Sequence, residues 1–185
     1  MIIALGTRKQ VGKDTVGKYL IEKYGFKRLA FADALKEDVQ DILDYAGIDY
    51  DPADEENKEI FRPMLIAYSE LRRHLKPTYW LDKVVEVIDT FPDIDYVVTD
   101  MRYPNEADAL RDKGAVIVRI NRNTGLKAEP TEAVGDLIEP DWEIQNNGTF
   151  EELYDKVDTI VRSEGPANEK GDIKTETAMR IPKPQ

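Results

Sequence analysis

The feature that most constrains the fold is the segment joining the first apolar run to the first helical pattern. Residues 2–5 are apolar and mostly branched, which is typical of a buried strand. Residues 6–15 then contain two glycines and three basic side chains, without an acid before Asp14. From Val16 the apolar residues recur at helical spacing until Gly25, a typical helix end. A strand that passes through such a turn into a helix predicts an α/β fold with an anion site at the helix N-terminus.

The turn itself is similar to the phosphate-binding Walker A pattern, G-x4-G-K-[ST]. It departs from that pattern twice: five residues separate Gly6 from Gly12, and Asp14 follows Lys13, with Thr15 next. The alternative is a chance Gly-Lys turn in which Asp14 or Thr15 is an ordinary helix N-cap. Phosphate binding is favoured because the strand–loop–helix context is intact and residues 6–13 carry a net charge of +3.

Further along the chain, strand and helix patterns alternate, which predicts a mainly parallel sheet flanked by helices. Strands are predicted at 26–31, 96–100 and 115–120, and helices at 33–44, 59–75, 78–90, 105–113 and 149–163. Helices dominate 45–90, which in a phosphate-transferring protein would be an insertion that binds the phosphoryl acceptor, and the polar stretch 121–141 would then be a lid. One domain over 1–162 is expected, followed by a disordered tail at 163–185.

Composition excludes several classes of protein. The 185 residues include no Cys and one His, which argues against disulfides, zinc sites and Ser-His-Asp catalysis. A net charge of −11 argues against binding to nucleic acid polymers, although residues 33–60 alone contribute −9 of it. No apolar run approaches the ~18 residues of a membrane span, and the first six residues lack the basic start of a signal peptide. The expectation is a cytoplasmic protein.

If the loop binds nucleotide phosphates together with Mg²⁺, a second acid is expected at the end of a neighbouring strand, where it would help to hold the metal. Asp100 closes the apolar run 96–99 and meets this requirement, and Arg102 follows it closely. Arg62 and Arg73 are further phosphate-binding candidates, because eleven residues is close to three helical turns and places them on one face. Their alternative role is that of solvated helix arginines. The aromatic residues at helical spacing are predicted to be core rather than base-stacking groups: Tyr68, Tyr79 and Trp80.

In combination these motifs resemble phage-type deoxynucleoside monophosphate kinases. The resemblance covers roughly residues 1–162, and it implies a three-layer P-loop kinase fold that transfers the γ-phosphoryl group of ATP to a dNMP. The segments that carry it are 12–15, 31–36, 99–106, 118–122, 130–132 and 144–149. It further implies Mg²⁺ as the metal that accompanies ATP, and a homodimer.

The resemblance also implies roles for individual residues. Gly12, Lys13, Thr15 and Lys9 would bind ATP, joined by Arg122 from the lid. The residues facing the acceptor would be Asp14, Lys36, Arg62, Arg73, Asp100, Arg102 and Glu132. Catalysis would rest on Lys13, Asp14, Arg102 and Arg122, with Asp14 and Asp100 as metal ligands. The family often has a histidine where this chain has Glu129, and an arginine and a serine where it has Gln10 and Val11.

Two other functions remain open from the residues alone. The first is a P-loop kinase for another small phosphorylated metabolite, since such acceptors also require only arginines and a lid. The second is a nucleotide-binding module without turnover, suggested by the displaced first glycine. The accepted base and the choice between deoxyribose and ribose are not predicted by these motifs.

Overall fold

A computed structural model of the chain describes residues 1–6, 8, 10–51, 54–123, 125, 130–165 and 179–180. Internal contacts divide the protein into two compact units, one formed by Met1–Leu29 with Phe91–Gln185 and the other by Ala30–Thr90. The strands are β1 Ile2–Gly6, β2 Lys27–Leu29, β3 Tyr96–Met101, β4 Ala115–Asn121, β5 Trp142–Gln145 and β6 Met179–Arg180. The helices are α1 Lys13–Tyr24, α2 Phe31–Tyr45, α3 Glu55–Leu75, α4 Tyr79–Thr90, α5 Pro104–Asp112, α6 Pro130–Gly135 and α7 Phe150–Glu164.

The first unit is built on one sheet with strand order β2-β3-β1-β4-β5-β6. The first five strands pair in parallel, and β6 adds a two-residue antiparallel edge to β5. The predicted α/β fold with a mainly parallel sheet is therefore confirmed. Because β1 is the central strand, the loop that follows it leaves the middle of the sheet, flanked by the carboxyl ends of β3 and β4.

Helices cover both faces of this sheet. The step from β1 to β2 and the step from β3 to β4 run in opposite directions across the sheet, so right-handed crossovers place α1 and α5 on opposite faces. Helix α7 packs beside α1, and α5 packs on β4. Gly17 allows α1 to lie close to β3, because a Cβ there would be 3.1 Å from Thr99 Cγ2. The result is the helix–sheet–helix arrangement that the sequence predicted.

A large apolar core lies between the sheet and the α1–α7 layer. It includes Ile3 and Leu5 of β1, Leu20 of α1 and Val157 of α7, all nearly fully buried. Trp142 and Ile144 of β5 also belong to it. This strand is absent from the sequence-based prediction because it has only two apolar residues in a four-residue alternation.

The second unit consists of α2, α3 and α4. Val39 and Leu43 of α2 pack with Tyr50, and Phe61 and Leu65 of α3 lie against them. Helix α3 begins at Glu55, four residues earlier than predicted, because the side chain of Asp54 caps it by accepting a 2.8 Å hydrogen bond from the Asn57 backbone N–H. The segment predicted as helical insertion, 45–90, is thus largely helical, and the compact unit already begins at Ala30.

The structure adds detail to one irregular segment and corrects the prediction for another. The proposed lid, 121–141, contains a short helix, α6, in its described part. The tail predicted to be disordered from 163 contains the end of α7 and the strand β6, so the prediction is wrong for 163–165 and 179–180. Residues 166–178 and 181–185 lie outside the described residues. No helix in the described part of the chain is long and apolar enough to cross a membrane.

A buried carboxylate joins α1 to α7. Asp158 accepts hydrogen bonds from the Tyr19 hydroxyl at 2.7 Å, from the Tyr24 hydroxyl at 2.8 Å and from Lys23 Nζ at 2.6 Å. Burial acts to raise the pKa of Asp158, but the hydrogen bonds from these three groups outweigh it and hold the pKa below its ordinary value. Burial and the hydrogen bond to Asp158 also raise the pKa of Tyr24 to about 12. The carboxylate therefore stabilises the fold in its charged form.

We expect Asp158→Asn to lower the free energy of unfolding at neutral pH by about 1–3 kcal/mol, since a charged acceptor of three hydrogen bonds is lost. The pKa of Asp158 is lower in the folded than in the unfolded state. Its contribution to the free energy of unfolding is therefore fully present above a pH of about 4, the pKa in the unfolded state. The contribution disappears as the pH falls through the lower pKa of the folded state. Urea unfolding at several pH values measures this difference. Asp155→Asn, at an exposed position of the same helix, is the matched control and should change stability little. An equal loss for both variants would contradict the assignment.

Candidate functional site

The glycine-containing loop lies at the carboxyl end of the central strand. Gly6, the last residue of β1, is paired with Met101, the last residue of β3, so the loop begins beside the end of β3. Helix α1 begins at Lys13, and the carbonyl of Gly12 accepts the first helical hydrogen bond from Val16 at 3.0 Å. The free N–H groups at this helix start and its dipole favour an anion there.

Gly12 is required at this position for two separate reasons. Its φ of +105° lies in the region that disfavours side chains, and a Cβ there would be only 2.5 Å from Asn146 Nδ2. The amide of Asn146 is buried and donates a 2.7 Å hydrogen bond to the carbonyl of Val11. In turn, the Asn146 backbone N–H donates to the carbonyl of Asn121 at 2.7 Å. The loop is therefore held in shape by the residue that follows β5.

We expect Gly12→Ala to abolish nucleotide binding, because the new methyl group has to displace Asn146 from the loop that it supports. Gly25→Ala is the matched control: its φ is +74°, but nothing lies within 4 Å of a Cβ there. That variant should lose roughly 1 kcal/mol of stability from backbone strain and keep its nucleotide affinity. Calorimetric titration with ATP compares the two, and equal affinity in both variants would show that the close approach to Asn146 is unimportant.

Lys13 and Arg8 make contacts within and beside the loop. Lys13 Nζ donates to the main-chain carbonyl of Arg8, so the ammonium group lies over the loop in which a phosphate would bind. The Arg8 guanidinium pairs with Asp136, directly after α6, with Nη2 2.9 Å from Oδ2 and Nε 3.4 Å from Oδ1. Both side chains are over one-third exposed, so this pair contributes at most about 1 kcal/mol. An incoming phosphate therefore competes with a weak interaction.

The predicted oxygen ligands for a cation lie at the same edge of the sheet. Asp14 and Thr15 are in the first turn of α1, Asp14 exposed and Thr15 half-buried. Asp100 is half-buried, one residue before the end of β3. Among the described residues, no three metal-ligating side chains form a group. These carboxylate and hydroxyl oxygens suit a hard cation that takes its remaining ligands from phosphate and water, as Mg²⁺ does.

Arg102 leaves the end of β3 on a backbone held by a buried carboxylate. Glu106, 3% exposed, accepts hydrogen bonds from the backbone N–H groups of Arg102 at 2.8 Å and Tyr103 at 3.1 Å. Glu106 also lies in the first turn of α5, where the helix dipole favours an acid, so this one side chain fixes the main chain from which Arg102 extends.

The remaining candidates of this unit lie in or near the proposed lid. Arg122 is exposed and directly follows β4. Glu132 is in α6, but its side chain and the whole of Lys9 lie outside the described residues. The carboxyl ends of β1, β3 and β4 thus bring together the loop, Asp100, Arg102 and the start of the lid.

The acceptor candidates of the second unit are on α2 and α3. Lys36 is 4.0 Å from Asp33, and Arg62 pairs with Glu59 at 2.8 Å, both within their own helices. Arg73 donates to the hydroxyl of the buried Ser69. Arg62 and Arg73 lie on one side of α3, as their spacing requires.

A better-anchored arginine, Arg72, is adjacent to Arg73. Its Nε donates to the Tyr68 hydroxyl at 2.8 Å, and its guanidinium lies 4.5 Å from the centre of the Tyr79 ring. Asp38 holds the two phenols in place, accepting from Tyr79 at 2.7 Å and Tyr68 at 3.3 Å, and it also pairs with Lys83 at 2.8 Å. Burial acts to raise the pKa of Asp38, but the hydrogen bonds from Lys83, Tyr79 and Tyr68 lower it overall.

The prediction that the aromatic residues are core rather than base-stacking groups is confirmed most clearly for Trp80. It is 2% exposed, its indole N–H donates to the carbonyl of Ser69 at 3.3 Å, and Tyr68 and Tyr79 meet it edge to face.

Sequence reasoning assigned no role to Asn146 or Asp136, which contact the loop from distant parts of the chain. The only available signal was the place of Asn146 in the resembling segment 144–149.

Comparison with known proteins agrees with the resemblance over part of the chain. Residues 71–157 match the family described as deoxynucleotide monophosphate kinase. A protein of that name from Escherichia phage RB69 is 38% identical over 69 residues. That alignment covers 36% of this chain and 28% of the phage protein.

Among solved structures, an unliganded sugar kinase from Janibacter sp. HTCC2649 has a similar fold. The superposition has a TM-score of 0.50 at 15% sequence identity, and it covers 86% of this chain and 91% of the other. At that identity the likeness concerns the α/β fold alone.

Proposed function

We propose that this chain is a deoxynucleoside monophosphate kinase, which transfers the γ-phosphoryl group of ATP to a dNMP and yields ADP and a dNDP. The observation that carries the proposal is the meeting of the basic loop with Asp100 and Arg102 at the carboxyl end of the central strands. This is the edge at which open α/β sheets bind ligands. The family match over 71–157, which includes Asp100 and Arg102, supports the same activity.

The donor phosphates would occupy the loop between β1 and α1. The backbone N–H groups at the start of α1 and the ammonium of Lys13 would bind the β- and γ-phosphates, assisted by Thr15 and Lys9. In doing so, Lys13 would exchange its present contact with the Arg8 carbonyl for phosphate oxygens. Arg122, extending from the end of β4, would neutralise charge on the transferring group from the lid side.

The acceptor is itself a phosphate, so the reaction needs no protein nucleophile. Its second pKa is near 6, and the dianion is therefore available at neutral pH without a strong general base. One of its oxygens bonds to the γ-phosphorus as the bond to the β–γ bridging oxygen breaks, and that oxygen leaves with ADP. Arginines that bind the acceptor oxygens in pairs would align the attack, and Arg102, Arg62 and Arg73 are proposed for this role, together with Lys36.

Mg²⁺ is the cation proposed to accompany ATP, where it would neutralise the charge on the phosphates. Asp14 and Asp100 are its proposed protein ligands, partly through water. Glu132 is proposed to contact the acceptor from the lid, and closure of 121–141 would exclude water that otherwise hydrolyses ATP. We expect the protein to bind ATP and the dNMP in the cytoplasm.

A panel of acceptors tests the proposal. Purified protein is incubated with ATP and Mg²⁺ and each of dAMP, dGMP, dTMP and dCMP, then with the ribose counterparts, and ADP and diphosphate products are separated and quantified. Formation of a dNDP from at least one deoxynucleotide is expected. Transfer only to a non-nucleotide phosphate would replace the proposed substrate class, and ATP binding without transfer to any acceptor would identify a binding module.

A further inference from the structure

The chain that leaves β4 carries Arg122 between two hydrogen bonds. On one side of it, the carbonyl of Asn121 accepts a 2.7 Å hydrogen bond from the backbone N–H of Asn146. On the other side, the backbone N–H of Asn123 donates a 3.1 Å hydrogen bond to the side-chain oxygen Oδ1 of Asn147. The main chain at Arg122 is therefore held from both sides by two consecutive asparagines, which follow the end of β5.

The two hydrogen bonds differ in kind. The one from Asn146 to Asn121 is the regular ladder bond that follows the pairing of Asn121 with Gln145 in parallel strands. A longer β5 would offer a main-chain carbonyl to the N–H of Asn123, but β5 ends at Gln145. The side chain of Asn147 supplies an oxygen to that N–H instead. Hydrogen bonding to the β4 segment therefore continues two residues past the end of the strand.

Asn147 itself lies between two anchored residues. Before it, Asn146 is 8% exposed and donates a 2.7 Å hydrogen bond to the carbonyl of Val11, in the loop before α1. Two residues after it, Thr149 caps α7 by accepting a 3.3 Å hydrogen bond from the backbone N–H of Glu152. One short segment thus holds both the phosphate-binding loop and the start of the proposed lid.

Both hydrogen bonds beside Arg122 act on main-chain atoms, and its side chain is exposed. An arginine that extends from a fixed main chain loses only side-chain entropy when it binds a phosphate. Arg102 is held in a similar way, because the carboxylate of Glu106 fixes its backbone N–H at the end of β3. The two strands that flank β1 therefore both end in an arginine whose main chain is held by a side-chain oxygen.

We propose that Asn147 is a positioning residue for phosphoryl transfer, which acts through Arg122 by fixing the main chain from which that arginine extends. The proposal rests on the proposed function, in which Arg122 neutralises charge on the transferring group. An arginine held in place meets that charge as it develops, so the contribution of Asn147 falls on the rate of the chemical step.

Steady-state kinetics of Asn147→Ala test this role. One exposed hydrogen bond is lost, so kcat is expected to fall about fivefold, while the KM for the dNMP and the thermal unfolding temperature stay unchanged. The fall should vanish when Arg122 is already alanine, because no cation is then left to position. Gln145→Ala removes an exposed amide from the same segment and is the matched control, which should retain the wild-type rate. A fivefold loss that persists beside Arg122→Ala, or a wild-type rate for Asn147→Ala, would overturn the proposal.

Limited proteolysis tests the hydrogen bond without any turnover. Trypsin cleaves after arginine, and the peptide bond that it would cut at Arg122 contains the N–H that Asn123 donates to Asn147. Cleavage at Arg122, followed by mass spectrometry, should be about fivefold faster in Asn147→Ala and unchanged in Gln145→Ala. Equal cleavage of the two variants would overturn the proposal. Absence of dNDP formation by the wild type would instead refute the proposed function and the catalytic role with it, and the trypsin result would still decide whether Asn147 fixes this segment.

Discussion

Replacing Lys13 with alanine is expected to lower the rate of phosphoryl transfer by roughly a thousandfold while the fold is retained. The side chain is at the first position of α1, it is half-buried over the loop, and its ammonium group donates to the main-chain carbonyl of Arg8. Removing it takes away the charge that would accompany the phosphoryl group through the transition state. Steady-state assays with the best acceptor from the nucleotide panel measure the loss.

Lys18→Ala is the control for this prediction. Lys18 is on the same helix, its side chain is 75% exposed, and it pairs only weakly with Glu22 at 3.7 Å. Circular dichroism and thermal unfolding should be similar for both alanine variants, and only Lys13→Ala should lose activity. If Lys13→Ala retained more than about a tenth of the wild-type rate, the loop would not be the donor site.

Replacing Arg102 with alanine is expected to have the second-largest effect, a loss of roughly a thousandfold in kcat/KM. The reason is the rigidity of its attachment: Glu106 fixes the backbone N–H of Arg102 at the point where β3 ends beside the loop. An arginine attached to a fixed backbone loses little conformational entropy when it binds a phosphate. More of its binding energy is then available to lower the barrier to phosphoryl transfer. Arg102→Lys should recover only part of the rate, because an ammonium cannot make the paired contacts of a guanidinium.

The matched control is Arg162→Ala. Arg162 is in the last turn of α7, a helix that begins at the loop-bearing edge of the sheet and ends at the opposite edge. Its ion pair with Asp158 is long, 3.6 Å, and the side chain is 48% exposed, so the variant should retain full activity. Comparable losses of activity for the two variants would remove Arg102 from the proposed site.

The sequence supported the fold well where the chain itself carries strong periodic signals. Long helices such as α2 and α4 and the β-branched strands β3 and β4 are predicted within a few residues, because side-chain periodicity reports directly which face is buried. It failed at β5, where Trp142 and Ile144 are too few to establish an alternation and the strand exists because β4 supplies its hydrogen bonds. It also missed the early start of α3, which depends on the local cap at Asp54.

The candidate site, like the fold, combines features that local sequence predicts with features that depend on tertiary contacts. The sequence by itself supplied the residue types for the proposed chemistry: a basic, glycine-bearing loop before a helix, an acid and an arginine after a strand, and a composition with no Cys and one His that suits phosphoryl transfer. These signals are local, and the required residue types stand next to one another in the chain. Only the tertiary structure decided what holds that chemistry in place. Asn146 supports the loop from 135 residues away, and Glu106 proves to be a buried anchor for the main chain at Arg102. Such contacts depend on sheet order and on which strand ends become neighbours, and neither is written in the spacing of residues along the chain.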